Sequence, residues 1–154
     1  MSSAASGLRI GLEAVSNSRV KITLSNSNSD HTLTLLRWDT PLDPRALDTG
    51  VLVLTDRDSG KVIPSPGLKL NRKLPPTRED FVEIAPSSKV SEERELKGPW
   101  LPSAGQRVSV HVEGEWKALW SKSTAAVKQE ALDALDGDGC YRAAFRSDAI
   151  ELEI

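Results

Sequence analysis

The feature that most constrains this fold is a strict two-residue alternation over residues 108–120. Apolar or small residues occupy every second position there: Val108, Val110, Val112, Gly114, Trp116, Ala118 and Trp120. The positions between them are polar or charged, apart from Leu119 near the end. Successive side chains of a β-strand point to opposite faces of the sheet, so the pattern predicts one long strand with a buried face and a solvated face. Gly114 in its middle predicts a bulge or a bend.

Further segments of strand length recur along the chain. Residues 8–14 and 20–24 alternate in the same way. Residues 33–38 and 51–54 are apolar on both faces, which is typical of strands covered on two sides. Shorter strand patterns follow at residues 61–63, 68–72, 81–84, 89–96, 141–145 and 150–154. Turns rich in proline and glycine separate these segments at the spacing of a β-sandwich.

One segment follows a helical period instead. Val127, Ala131, Ala134 and Leu135 are spaced as one face of a helix, and Gly137 follows its end. We therefore predict an all-β, immunoglobulin-like antiparallel β-sandwich of about eight or nine strands, with one short helix near residues 124–135. We expect residues 1–7 to form a flexible tail and residues 8–154 to form a single domain.

Charge and cysteine content narrow the possible functions. The chain has 154 residues, with 20 lysines and arginines against 22 aspartates and glutamates. This balance argues against a nucleic-acid-binding protein, which needs a clustered basic surface. No apolar run has the length of a membrane span, and the first residues lack the apolar core of a secretory signal. Together with the lone Cys140, which is typical of a reducing compartment, these features predict a cytoplasmic protein.

The usual catalytic and metal-binding patterns are missing from the sequence. His31 and His111 are far apart, neither lies in a His-Glu-x-x-His motif, and we expect both to be solvated strand residues. We expect Cys140 to be a buried or half-buried thiol at the start of a strand. Residues 136–139 (Asp-Gly-Asp-Gly) resemble the start of a calcium loop, but its last ligand is replaced by Ser147, which favours a turn. We predict no catalytic residue, no metal and no cofactor, and leave enzymatic activity open.

A rigid turn after the third strand supplies the first candidate partner-binding residues. A tryptophan stands directly before an Asp-Thr-Pro-Leu-Asp-Pro segment that restricts the backbone. The candidate residues there are Arg37, Trp38, Asp39 and Asp43.

Two further groups complete the candidate set. Lys69, Arg72 and Lys73, together with Arg78 beyond the Pro75-Pro76 turn, form a basic cluster. This cluster would dock an acidic partner segment, or alternatively form a solvated edge that resists strand addition. Trp100 lies in a proline-rich loop, where we expect it to be the most exposed of the four tryptophans. Trp116 and Trp120 share one face of the long strand, so we expect them to pack together in the core.

Four stretches of the sequence, taken together and in order, resemble a known domain. They are Leu36-Arg37-Trp38-Asp39-Thr40-Pro41-Leu42-Asp43, Leu68-Lys69-Leu70-Asn71-Arg72-Lys73, Arg78-Glu79-Asp80-Phe81-Val82-Glu83-Ile84 and Gly114-Glu115-Trp116-Lys117-Ala118-Leu119-Trp120. They resemble the N-terminal, propeptide-like β-sandwich domain of deuterolysin-like and peptidyl-Lys zinc metalloendopeptidases. The resemblance covers about residues 8–154. It implies a β-sandwich that contacts a peptidase domain, but the zinc motif of that family has no counterpart in this sequence.

The first functional hypothesis is a stand-alone, non-catalytic module that binds a protein partner. The partner implied by the resemblance is a zinc metallopeptidase, with this chain as its inhibitor or folding helper. The alternative is a small-molecule-binding protein, or a metal-independent cyclase or isomerase. Its pocket would lie in the sandwich interior or among the end loops, with polar residues such as Arg37, Asp39 and Glu115. A third hypothesis is a purely structural assembly module. The oligomeric state stays open.

Overall fold

The computed structural model describes residues 7–154, so the tail predicted for residues 1–7 lies outside them except for Gly7. Within that range the chain forms ten strands and two short helices. The strands are β1 (Leu8–Ser16), β2 (Arg19–Asn26), β3 (Leu33–Leu36), β4 (Leu52–Asp56), β5 (Val62–Ile63), β6 (Phe81–Ile84), β7 (Lys89–Glu95), β8 (Arg107–Trp120), β9 (Tyr141–Arg146) and β10 (Ile150–Glu153). The helices are α1 (Ala46–Thr49) and α2 (Gln129–Ala134), and single 3-10 turns span Arg78–Asp80 and Thr124–Ala126. The prediction of an all-β, immunoglobulin-like sandwich is confirmed.

The strands form two antiparallel sheets, and the larger of them is organised around β8. The smaller sheet has the order β1-β2-β7, and the larger has the order β5-β4-β8-β3-β6, with β9 and β10 also paired to β8. The predicted long strand is 14 residues long. Its first half pairs with β4 and β10, and its second half pairs with β3 and β9.

The main core lies between the two sheets, as the alternation predicts. Val20, Ile22 and Leu24 of β2 are completely buried, while the residues between them are partly exposed. From the larger sheet, the inward-facing residues of β8, β3 and β4 pack against them. The predicted double coverage holds for β3, which is buried along its whole length, whereas Val53 in β4 is only partly buried.

A register shift in β8 separates the two tryptophans that the alternation places together. Its pairing with β9 shifts between Trp116 and Leu119, and an extra residue in one strand reverses the facing of the residues beyond it. Trp116 and Leu119 therefore pack between the sheets, while Trp120 packs on the opposite side of the larger sheet. The prediction that Trp116 and Trp120 share one apolar face is wrong for this reason.

Gly114 has a packing role and does not mark the bulge. A Cβ atom at Gly114 would lie 3.0 Å from Cζ of Phe145, which is closer than an ordinary contact. The ring of Phe145 stacks in turn on Trp116, with 4.3 Å between the ring centroids. Glycine at this position therefore makes room for the aromatic pair.

A second apolar cluster lies on the outer face of the larger sheet, beneath residues 124–135, which we name the helical cover. The predicted continuous helix is divided there into the 3-10 turn, two extended residues (Val127 and Lys128) and α2. Val127 and Leu132 are buried against Trp120 and Phe81, while Ala134 of the predicted apolar face is exposed. The extended residues bring Val127 down onto the sheet, which a continuous helix would not do.

The strand predicted for residues 68–72 is wrong, because this stretch is irregular. Prolines on both sides limit the backbone donors that a ladder needs. The segment is instead held by two specific contacts: the amide of Leu68 donates to the carbonyl of Asp48 at 2.9 Å, and Arg72 enters a cluster of charged residues. The predicted third strand likewise ends at Leu36, where a tight turn begins.

Candidate functional site

A group of ion-paired side chains connects the turn after β3 with β7 of the smaller sheet. We name it the charged frame, and its members are Arg37, Asp43, Arg72, Glu92 and Arg94. Asp43 lies at its centre, with only 1% of its surface exposed. One carboxylate oxygen accepts from Nη2 of Arg72 at 2.6 Å and from the amide of Asp39 at 2.8 Å, and the other accepts from the amide of Arg45 at 3.0 Å.

Arg72 is fixed on three sides. In addition to Asp43, its guanidinium contacts Asp39 at 3.3 Å. Its central carbon lies 5.5 Å from the ring centroid of Trp38, which is within range of a cation–π interaction. The indole N–H of Trp38 donates to Asp80 at 3.1 Å, which holds the ring in place.

The second half of the frame surrounds Glu92. Its carboxylate accepts from Arg37 at 2.6 Å and from Arg94 at 2.7 Å. Burial acts to raise the pKa of Glu92, but the hydrogen bonds from Arg94 and Arg37 outweigh it and hold the pKa below the usual glutamate value. Arg37 and Arg94 also donate to the carbonyl of Leu42, at 3.3 and 2.8 Å.

The local sequence explains why the turn holds this shape. The hydroxyl of Thr40 donates to the carbonyl of Arg37 at 2.7 Å, and Leu42 is completely buried. Asp39 has a φ of 59°, in the left-handed region that aspartate tolerates better than most residues. Hydrogen bonds among the residues of the turn therefore help to hold its shape.

Residues 67–74, which we name the basic segment, cross the surface next to the frame. Arg72 and the Leu68 amide attach the segment, while Lys69 and Lys73 are exposed, and no ion pair within residues 7–154 involves either ammonium group. Leu68 and Leu74 are 42% and 67% exposed, although leucine usually lies inside. The segment thus presents two leucines and two free positive charges.

The structure gathers most of the candidate residues and separates one. Five of the eight lie in or against the charged frame: Arg37, Trp38, Asp39, Asp43 and Arg72. Lys69 and Lys73 project from the adjoining basic segment. Trp100 belongs to another loop, where its indole nitrogen lies 2.8 Å from the position a Cβ of Gly98 would take. Trp100 is therefore folded back and half-buried, as Trp38 is, whereas Trp116 and Trp120 are buried.

Glu92 and Arg94 were not among the candidates, although the sequence carries a signal for them. In β7 the inward-facing, partly buried positions are Val90, Glu92 and Arg94, while the residues between them are exposed. Charged residues at inward positions of a strand need partners. The partners lie far away in sequence, so the strand pattern alone does not identify them.

The other residues considered for chemistry are His31, His111 and Cys140, and His31 is exposed as expected but lies outside any strand. His111 is buried, contrary to expectation, and its Nε2 lies 2.7 Å from the carboxylate of Glu113. That hydrogen bond lowers the pKa of Glu113. Burial raises the pKa of the half-buried Cys140 thiol, as is typical of an unreactive cysteine. Residues 7–154 contain no cluster of three or more histidine, cysteine, aspartate or glutamate side chains suited to a metal ion.

The alternative function needs a pocket in the sandwich interior or among its end loops. The space between the sheets is packed with buried side chains, which argues against the interior pocket. Of the polar residues considered for that pocket, Asp39 and Glu115 line an open surface groove of about 490 Å³ beside the basic segment. Arg37 lies along a different groove, of about 400 Å³.

A relative and a family model correct one prediction and establish the family. A protein of Arthroderma benhamiae described as an uncharacterized secreted protein is 32% identical over 136 residues, which cover 86% of this chain and 67% of that protein. This similarity points to secretion, so the prediction of a cytoplasmic protein is wrong. No helix within residues 7–154 is long and apolar enough to cross a membrane. The model of the immunoglobulin-like domain matches residues 7–154, and the chain therefore belongs to the immunoglobulin-like domain family.

Proposed function

We propose that this chain is a non-catalytic β-sandwich module that binds a protein partner through its basic segment. The observation that carries the proposal is the exposure of two leucines and two lysines on a segment that Arg72 fixes to the charged frame. Side chains on a segment that is already held in place lose less conformational freedom on binding. The combination of apolar surface and positive charge fits a partner surface that is acidic and partly apolar.

A zinc metallopeptidase of the deuterolysin type is the partner that the sequence resemblance supports. The segment that carries the resemblance most specifically, residues 38–43, lies in the turn that holds Arg72. In such a module the turn would fix the shape of the contact surface. The chain then acts on the peptidase as an inhibitor or as a folding helper.

We further propose that the chain functions outside the cell, as the description of its Arthroderma benhamiae relative suggests. Detection of the protein in culture fluid of its source organism would support export, and its confinement to the cell extract would contradict it.

Titration of the purified catalytic domain of a deuterolysin-type peptidase into this chain tests the peptidase proposal. We expect a micromolar or tighter Kd, and a Kd at least about tenfold larger for Lys69→Glu/Lys73→Glu. The matched control, Lys61→Glu/Lys89→Glu, changes the net charge equally at two exposed lysines outside the basic segment and should bind like the wild type. Added salt should weaken wild-type binding, because exposed charges are screened.

Two further assays distinguish an inhibitor from a folding helper. An inhibitor slows substrate hydrolysis by the mature peptidase, whereas a folding helper raises the yield of active peptidase on refolding and leaves its hydrolysis rate unchanged. Absence of binding at about 100 μM, which corresponds to less than about 5.5 kcal/mol of binding free energy, would contradict the peptidase proposal.

A further inference from the structure

No strand among residues 7–154 pairs with the outer edge of β1, although β10 of the larger sheet comes near β1 without pairing with it. β1 lies at the end of the smaller sheet, spans nine residues and contains no proline. Its side chains alternate, with Leu8, Ile10 and Leu12 partly buried and Arg9 and Glu13 exposed. A long, regular edge of this kind is a template for pairing with another chain.

The hydrogen-bonding parity of β1 shows which backbone groups are free. The amide of Ser27 donates to the carbonyl of Gly7 at 2.8 Å, so residues 7 and 27 form a hydrogen-bonded pair. These pairs alternate along an antiparallel ladder, so Arg9, Gly11 and Glu13 direct their backbone groups towards β2. The even-numbered residues direct theirs outward, where no partner is present in the described part of the chain. These residues are Leu8, Ile10, Leu12 and Ala14.

We propose that a second copy of this chain pairs with β1, antiparallel, about a two-fold axis at Gly11. The even residues then meet even residues, with Ile10 opposite Leu12 of the second copy and Leu8 opposite its Ala14. The same register places Arg9 opposite Glu13 of the second copy, and the two-fold axis repeats this pair. In this single register, the outward backbone groups, the apolar side chains and the charged side chains of one copy each meet a suitable partner in the other copy.

Alternative registers lose part of this complementarity. A shift by one residue would place the even-numbered residues of one copy opposite odd-numbered residues of the other. The backbone groups of those odd-numbered residues are already directed towards β2, so they could not pair. A shift by two residues restores the backbone pairing but leaves neither Arg9 nor Glu13 opposite its charge partner. Directly opposed charges stabilise a strand pair, whereas like charges destabilise it.

Gly11 supports a close approach at the axis. Within the chain nothing requires a glycine there, since an added Cβ would meet nothing nearer than Cβ of Thr23 at 3.9 Å. A glycine inside a strand weakens it and often marks a site where another backbone approaches. In the proposed register Gly11 faces its own copy in a non-hydrogen-bonded pair, whose Cα atoms lie about 4.5 Å apart.

A groove of about 370 Å³ lies beside β1, and its lining includes both apolar and charged residues. Leu8, Ile10, Trp116 and Phe145 supply the apolar part, and Arg9, Arg146 and Asp148 supply the charged part. The second copy would place its Leu12 next to Ile10 on the inner side of β1. The apolar layer of the smaller sheet would then continue across the axis.

Sedimentation equilibrium of the full chain tests the proposal. We expect a dimer for the wild type, a dimer dissociation constant at least about tenfold larger for Arg9→Glu or for Glu13→Arg, and recovery in the double variant Arg9→Glu/Glu13→Arg. Lys61→Glu alters the net charge as Arg9→Glu does, at an exposed residue away from β1, and should leave the dimer unchanged. A monomeric wild type, or failure of the double variant to recover, would overturn the proposal.

Disulfide trapping tests the register separately. Gly11→Cys, in a Cys140→Ala background, should form an intermolecular disulfide rapidly, because the proposed Cα separation lies in the range that disulfides accept. Glu13→Cys in the same background is the control, because the two Glu13 positions lie far from each other in this register. Equal rates for the two variants would exclude the two-fold axis at Gly11.

Discussion

The helical cover and the charged frame stabilise two neighbouring parts of the sandwich by different means. The cover packs apolar side chains onto the outer face of the larger sheet, so that Trp120 is completely buried and Phe81 lies 6.0 Å from it, centroid to centroid. The frame joins a turn of the larger sheet to a strand of the smaller one through arginine–carboxylate pairs.

The two means of stabilisation leave different side chains exposed to solvent. Apolar packing stabilises a region by removing its side chains from water, so most of what holds the cover is hidden. Ion pairs stabilise a fold only if their charged groups are well oriented. The residues beside such a pair do not have to be buried. The frame can therefore hold a segment whose leucines and lysines stay at the surface.

The largest effect should come from Trp120→Ala. The substitution removes the largest completely buried side chain, leaves a cavity beneath the helical cover and should lower the free energy of unfolding by about 3–5 kcal/mol. Urea unfolding measures this loss. Tyr141→Ala, at an exposed position of β9, is the control and should cost much less. A loss below about 1 kcal/mol for Trp120→Ala would show that the cover carries little of the stability.

A somewhat smaller loss is expected when the frame loses its central acid. Asp43→Ala leaves Arg72 without its closest partner and removes the acceptor for two turn amides, so we expect a loss of about 2–4 kcal/mol in urea unfolding. Asp48→Ala breaks the exposed pair with Arg45 and should cost at most about 1 kcal/mol. Equal losses for the two variants would mean that burial of Asp43 is not what gives the frame its strength.

The pH dependence of stability sharpens the comparison further. Because the pKa of Glu92 is lower in the folded chain than its ordinary value, its contribution is present above that ordinary value and is lost as the pH falls through the folded pKa. Glu92→Gln should therefore cost at most about 1 kcal/mol at pH 7, and the difference from the wild type should shrink in acid. Urea unfolding of both proteins at pH 7 and at pH 2 measures this difference. A difference that persists at pH 2 would assign the effect to packing.

The smallest effect on stability is expected for Lys69→Glu/Lys73→Glu. Both lysines are exposed and neither forms an ion pair within the described residues, so the free energy of unfolding should change by less than about 0.5 kcal/mol. Urea unfolding checks this value. A larger loss would show that the basic segment supports the fold, which would weaken its interpretation as a binding surface.

The same contrast explains how far the sequence predicts the structure. Alternation in residues 108–120 predicts β8 and which of its side chains face the core, because such a pattern is contained within one segment of the sequence. The bulge that separates Trp116 from Trp120 leaves the alternation intact, so the pattern does not reveal it. The helical period of residues 124–135 likewise does not show that Val127 is extended.

The charged frame depends on contacts between distant parts of the sequence. The turn at residues 37–43 and the basic cluster at residues 69–73 are both recognisable in the sequence as candidates. Their connection through Asp43 and Arg72 spans 29 positions and depends on an irregular segment, which no periodicity predicts. Glu92 and Arg94 enter from a third segment, so the site is assembled only by the fold.

The most direct test of the account is whether the basic segment is the binding surface. The wild type, Lys69→Glu/Lys73→Glu and the control Lys61→Glu/Lys89→Glu would each be used to capture proteins from culture fluid of the source organism, with recovery quantified by mass spectrometry. We predict one protein captured in stoichiometric amount by the wild type and the control, and its recovery reduced at least about tenfold with the basic-segment variant. Equal recovery with all three, or no stoichiometric protein with the wild type, would contradict the account.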